Sequence, residues 1–97
     1  ARNLAEAGAS LLIIEAIPAQ LAKSITDSVS IPTVGIGAGP DTDGQVLVLY
    51  DVLGLFPRKS PKFSKDFLEG NGSVLEAVKD FVEDVRTRRF PGPEHSF

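Results

Sequence analysis

Cysteine, methionine and tryptophan are absent from this 97-residue chain, and histidine occurs once, as His95. The lack of cysteine excludes disulfides and thiolate metal sites, and it suits a reducing compartment. One histidine near a chain end leaves Ser–His and Cys–His nucleophile schemes without support. Without methionine the chain carries no translational start of its own. Ala1 to Gly8 reads as the tail of a helix closed by a glycine C-cap, so the expectation is that something precedes it in a longer protein. No apolar run approaches the roughly 18 residues of a membrane helix, and no signal-peptide pattern opens the chain. A net charge of −3 provides no basic stripe for nucleic acid, and Arg86, Arg88 and Arg89 form only a short cluster near acids.

What is present fits one small globular domain: 42% apolar and 24% charged residues, with no internal repeat, low-complexity tract or second domain. Leu11-Leu12-Ile13-Ile14-Glu15 is an unalternated aliphatic run, which predicts a strand over about Ser10 to Glu15 buried on both faces, as in parallel sheets. Pro18 suits a helix start, and Ile17, Leu21, Ile25 and Val29 give one apolar face to a helix from about Pro18 to Ser28. A second strand is expected at Thr33-Val34-Gly35-Ile36 and a third over Gln45 to Tyr50. The segment between them is too short for a crossover helix of at least ~10 residues. Either one helical turn fits there, or the third run is not a regular neighbouring strand.

Leu53 to Ser60, with Phe56, reads as a partly buried loop, and Lys62 to Leu68 as a short helix. Ser73 and Glu76 form a capping-box pair before a helix expected to last until about Arg88. Val74, Val78, Phe81, Val82 and Val85 mark its apolar stripe, and Phe90-Pro91-Gly92-Pro93 stops it, leaving an irregular tail. This alternation is α/β with a parallel sheet. Three strands leave edges exposed, which supports a piece of a (β/α) barrel or doubly wound sheet rather than a complete fold.

Glu15 is the first candidate for chemistry, because it stands where a buried strand gives way to a helix, at the edge where α/β folds collect ligands. Two readings are open: a general acid or base tuned by a pocket, or a structural carboxylate held by loop N–H groups. Gly35-Ile36-Gly37-Ala38-Gly39 lacks the G-x-G-x-x-G spacing and following helix of a dinucleotide loop. Its glycines either permit close backbone approach or, at Gly37, Ala38 and Gly39, line a substrate pocket with bare backbone. Asp41, Asp43 and Asp51 lack the rest of a calcium loop, and turn or cap roles suit the first two. Lys59, Lys62 and Lys65 read as a solvated face.

Two stretches carry a more specific signal. Glu15-Ala16-Ile17-Pro18 with Leu21-Ala22-Lys23 and Ile25-Thr26 resembles an E-x-[VI]-P-x-x-L-A-x-x-I-T segment. Ile31 to Gly39, then Asp43 to Val48, resembles I-P-x-[IV]-G-I-G-A-G…D-G-Q-[VI]-L-V. Both are similar to segments of the ketopantoate hydroxymethyltransferase family. Asp51 with Leu53-Gly54, Pro61-Lys62-Phe63 with Lys65, and Phe90-Pro91-Gly92 to Glu94-His95-Ser96-Phe97 continue the similarity in order. It spans essentially this whole chain but only the carboxyl-terminal third or so of the family.

The resemblance implies that residues 1–97 are the last three β/α units and tail of a (βα)8 TIM barrel of the phosphoenolpyruvate/pyruvate type. It implies transfer of a hydroxymethyl group from 5,10-methylenetetrahydrofolate to 3-methyl-2-oxobutanoate in pantothenate synthesis. Mg2+ would chelate the keto acid, and Glu15 would be the proton acceptor. The family's magnesium ligands and its substrate-binding serine and lysine fall on earlier strands, so no position here takes those roles, and the chain alone is expected to be inactive. Large homo-oligomers, commonly decamers, and a cytoplasmic location (mitochondrial in a eukaryote) are implied too. The competing readings are a free-standing α/β interaction module with an open sheet edge, and another keto-acid lyase on the same barrel.

Overall fold

The computed structural model describes residues 1–55 and 57–97, so the expected burial of Phe56 lies outside the described residues. The architecture is α/β with a three-stranded parallel sheet in the order β1-β2-β3. Helix α1 (Arg2–Glu6) ends at Ala7 and Gly8, whose φ of +109° supplies the conformation that a glycine terminator permits. Strand β1 (Leu12–Glu15) follows, then α2 (Ala19–Ser28) and β2 (Thr33–Ile36). The β1–β2 register sets Leu12 beside Thr33 and Glu15 beside Ile36.

Burial on β1 alternates, contrary to the expectation of two covered faces. Leu12 and Ile14 are buried, while Ile13 is 67% exposed. Successive side chains of a strand point to opposite faces. Ile14 packs with Ala22 of α2 and with Ala38, flanked by Ile17 and Ile25. Glu15 and Ile13 therefore share the face away from α2, which no described element covers.

The sheet's third member is β3, only Gly44–Gln45, pairing in parallel with Val34 and Gly35 of β2. One further bond, Val46 N–H to the Gly35 carbonyl at 3.0 Å, ends the ladder. The expected strand over Gln45 to Tyr50 is thus corrected: Leu49–Val52 forms a single helical turn, α3. No helical turn fills residues 37–43. Side-chain bonds brace that link instead, with Asp43 Oδ2 accepting from Thr33 N at 2.8 Å and Gln45 Nε2 donating to the Gly39 carbonyl at 2.8 Å. A parallel neighbour is therefore reached without a crossover helix.

The expected helix over Lys62 to Leu68 does not form. Asp66 Oδ1 accepts from the amides of Leu68 and Glu69, and the Pro61 carbonyl accepts from both the amide and the hydroxyl of Ser64. Such local side-chain bonds offer the backbone an alternative to helix. Helix α4 (Val74–Arg86) begins with the Ser73 hydroxyl accepting from Glu76 N at 3.2 Å, one half of the expected capping box. It stops two residues earlier than expected. Arg88 adopts φ +60°, and the amides of Arg88 and Arg89 bond to the carbonyls of Val85 and Asp84, the paired closure of a Schellman motif.

A second core joins α3, α4 and the loop between them: Val52, Phe67, Ala77 and Phe90 are buried, with Phe81 and Val85 against them. Phe67, Phe81 and Phe90 meet edge to face at centroid distances of 5.4, 5.3 and 6.0 Å. Each such pair adds about 0.5–1.5 kcal/mol beyond area burial. The residues expected to be an irregular tail form a short 3-10 turn, Pro93–His95.

Candidate functional site

Glu15 closes β1 at the carboxyl end of the parallel sheet, on the uncovered face and beside Ile36 of β2. It does not point among the helices. Its side chain is exposed, and among the described residues its carboxylate makes no ion pair or side-chain hydrogen bond. The next residue, Ala16, has φ +51°, and its amide donates to the Ile36 carbonyl at 2.9 Å. Left-handed backbone at a residue bearing a Cβ is sparsely populated and tends to persist where surroundings enforce it. Here the bond to Ile36 and the start of α2 three residues later do so. Nothing in the sequence signals this turn, because alanine carries no preference for it.

The glycine-rich link packs tightly against this region. Gly37 (φ +65°) lies under the Phe63 ring, and a Cβ there would come within 3.0 Å of it. Gly39 (φ +78°) abuts Ala19 so closely that a Cβ would collide with Ala19 Cβ. Ala38 faces the core between Ile14 and Ala22. Both glycines thus show the close approach read from the sequence, and Ala38 between them is buried.

Of the three aspartates, Asp43 caps the start of β2 through the Thr33 amide and hydroxyl. Asp41 lies 3.8 Å from Arg88 on the surface, and Asp51 is buried in α3. They do not converge. Among the described residues no three His, Asp or Glu side chains gather as a metal site requires. No described helix is long and apolar enough to cross a membrane.

His95 is not at a loose end: its ring packs 5.0 Å from Phe90, and its Nδ1 accepts from the Gly92 amide at 3.0 Å. Burial holds its pKa below the ordinary 6.5, with Glu94 opposing and Lys65 assisting. The three lysines read as a solvated face are exposed, and two of them have specific neighbours as well. Lys62 Nζ stands 5.1 Å over the Phe97 ring, and Lys65 reaches both the Phe67 ring and Asp84. A contact with no signal in the sequence ties this region to the segment after Glu15: Ala19 N donates to the Phe97 carbonyl at 3.2 Å.

The comparisons with known proteins agree with one another. A family model described as ketopantoate hydroxymethyltransferase matches residues 1–93. A 3-methyl-2-oxobutanoate hydroxymethyltransferase of Paraburkholderia phymatum is 55% identical over 96 residues, 99% of this chain and 35% of that protein. Proteins of the same name from Shewanella amazonensis and Burkholderia mallei are 55% and 54% identical over the whole chain, which covers 37% and 36% of them. The chain therefore spans about a third of the length of the curated relatives it matches. Because the family model covers nearly all of the chain, the chain belongs to the ketopantoate hydroxymethyltransferase family.

Proposed function

We propose that the chain is the carboxyl-terminal part of an enzyme that transfers a hydroxymethyl group to 3-methyl-2-oxobutanoate, giving ketopantoate for pantothenate synthesis. In this reading β1, β2 and β3 are the sixth, seventh and eighth strands of a (βα)8 barrel of the phosphoenolpyruvate/pyruvate type. The observation that carries it is the position of Glu15: the carboxyl end of a parallel strand, on the face opposite the packed helix. In a closed barrel that face is the interior, and that end is the mouth where catalytic groups sit. The uncovered Ile13 and the two-residue β3 are what strands lacking neighbours would show.

Glu15 is the proton acceptor. A keto group acidifies the adjacent C–H, and a carboxylate in hydrogen-bond reach takes the proton while the electron pair becomes available to the one-carbon unit. The donor in this reading is 5,10-methylenetetrahydrofolate. Mg2+ would polarise the keto acid, but among the described residues no set of side chains fits it. Its ligands have to come from the remaining two-thirds of the protein, as do further contacts to substrate. Assembly into homo-oligomers belongs to the same reading, and sedimentation of the intact enzyme tests it. The functional test is ketopantoate formation by the intact enzyme with and without Glu15→Gln. Loss of turnover with unchanged folding supports the role, and parental turnover removes it.

A further inference from the structure

Helix α2 starts without a side-chain cap, because its N-cap position is Pro18. The first N–H groups of a helix have no partner within it. Here a distant segment satisfies one of them: the Phe97 carbonyl accepts from Ala19 N. The segment that delivers this carbonyl is itself tied down at several points. His95 Nδ1 accepts from Gly92 N, the Ser96 hydroxyl donates to the Gly92 carbonyl at 2.9 Å, and the His95 ring rests on Phe90 in the aromatic core. The Phe97 ring lies beneath Lys62. Lys62 neighbours Phe63, whose ring covers Gly37. On its other side Ala19 is pressed by Gly39.

The geometry points to residues 93–97 as a positioning bracket for Glu15, with His95 and Phe97 as its two anchors. This rests on the reading of Glu15 as the proton acceptor. Only Ala16, Ile17 and Pro18 separate Glu15 from the bracketed amide, and Ala16 is held in left-handed backbone that relaxes if its far end is released. The bracket fixes where α2 begins, and so fixes the turn that aims the carboxylate. A misplacement of the order of 1 Å in a reacting group costs far more rate than binding. His95 and Phe97 therefore act on turnover rather than on substrate affinity, and neither touches the reacting atoms.

The test uses the intact enzyme carrying His95→Ala, Phe97→Ala or His95→Asn, whose side-chain oxygen can still accept from Gly92 N. For the two alanine variants kcat should fall ~10-fold, with KM for the keto acid moving less than about 2-fold. Hydrogen exchange at the Ala19 amide should quicken by a similar factor, and His95→Asn should restore most of both. If His95→Ala does not fold, Phe97→Ala carries the test, since that ring is half exposed and outside the aromatic core. Parental exchange at Ala19 and parental kcat in the folded alanine variants overturn the bracket, as does a loss confined to KM. Should Glu15→Gln keep parental turnover, the catalytic reading fails by itself, while exchange at Ala19 still reports on the bracket.

Discussion

Gly39 abuts Ala19 with no room for a single methyl group between them, and its φ of +78° is one that glycine alone adopts freely. The two residues join the glycine-rich link to the first turn of α2. Gly39→Ala thus adds a collision to a left-handed penalty of roughly 1–2 kcal/mol, and overpacking of a filled site costs about 1–3 kcal/mol more. The intact enzyme with Gly39→Ala should be less stable by roughly 2–5 kcal/mol. Denaturant unfolding measures it, and a loss below about 1 kcal/mol would mean that the link moves away at little cost.

Ala16 makes the opposite comparison. Its φ of +51° already carries the strain of a Cβ. Ala16→Gly removes that strain but adds freedom to the unfolded chain, so stability should change by less than ~1 kcal/mol. Ala16→Val places a β-branched side chain in the same turn and should cost about 2 kcal/mol or more. Thermal unfolding of the two variants side by side checks the ordering.

The pH response follows from His95. Burial lowers its pKa below 6.5, Glu94 pulls the other way, and Lys65 adds to the lowering. As pH falls, the unfolded chain binds this proton before the folded one does, so stability declines from about pH 6.5 downward and then levels off. Above that pH the contribution is fully present. Protonation also removes the Nδ1 acceptor used by Gly92 N. The difference in unfolding free energy between the parent and His95→Asn should therefore narrow on acidification from pH 7.5 to 5.5. A constant difference contradicts the assignment.

The 97-residue chain by itself should form no ketopantoate from 3-methyl-2-oxobutanoate and methylenetetrahydrofolate. Its described residues gather no metal-binding set, and Ile13 and Glu15 lie on a face with nothing opposite. Measurable turnover by the purified chain would contradict this.

Much of this organisation was legible in the residues. Thr33–Ile36 forms the expected strand, α2 begins one residue after Pro18, and the Ser73 cap starts α4. The position of Glu15 at the carboxyl end of β1 followed from an aliphatic run ending in a carboxylate. Other features depend on neighbours that a local pattern cannot see. Val46 to Tyr50 has strand composition, yet β3 pairs on one side only and gives way to α3. Leu11 to Ile14 reads as doubly buried, but only the face toward α2 is covered. The link from Phe97 to Ala19 joins residues far apart in sequence through a main-chain carbonyl, which no side-chain identity announces. The left-handed turn at Ala16 is equally silent.

If the Glu15 carboxylate removes the substrate proton in the proposed reaction, kcat of the intact enzyme with Glu15→Gln reports it. Glutamine keeps the size and hydrogen-bonding reach of the side chain but is not a base. The expected result is a fall of about 100-fold or more in kcat, with folding and keto-acid binding retained. A Glu15→Gln enzyme turning over at the parental rate would contradict it.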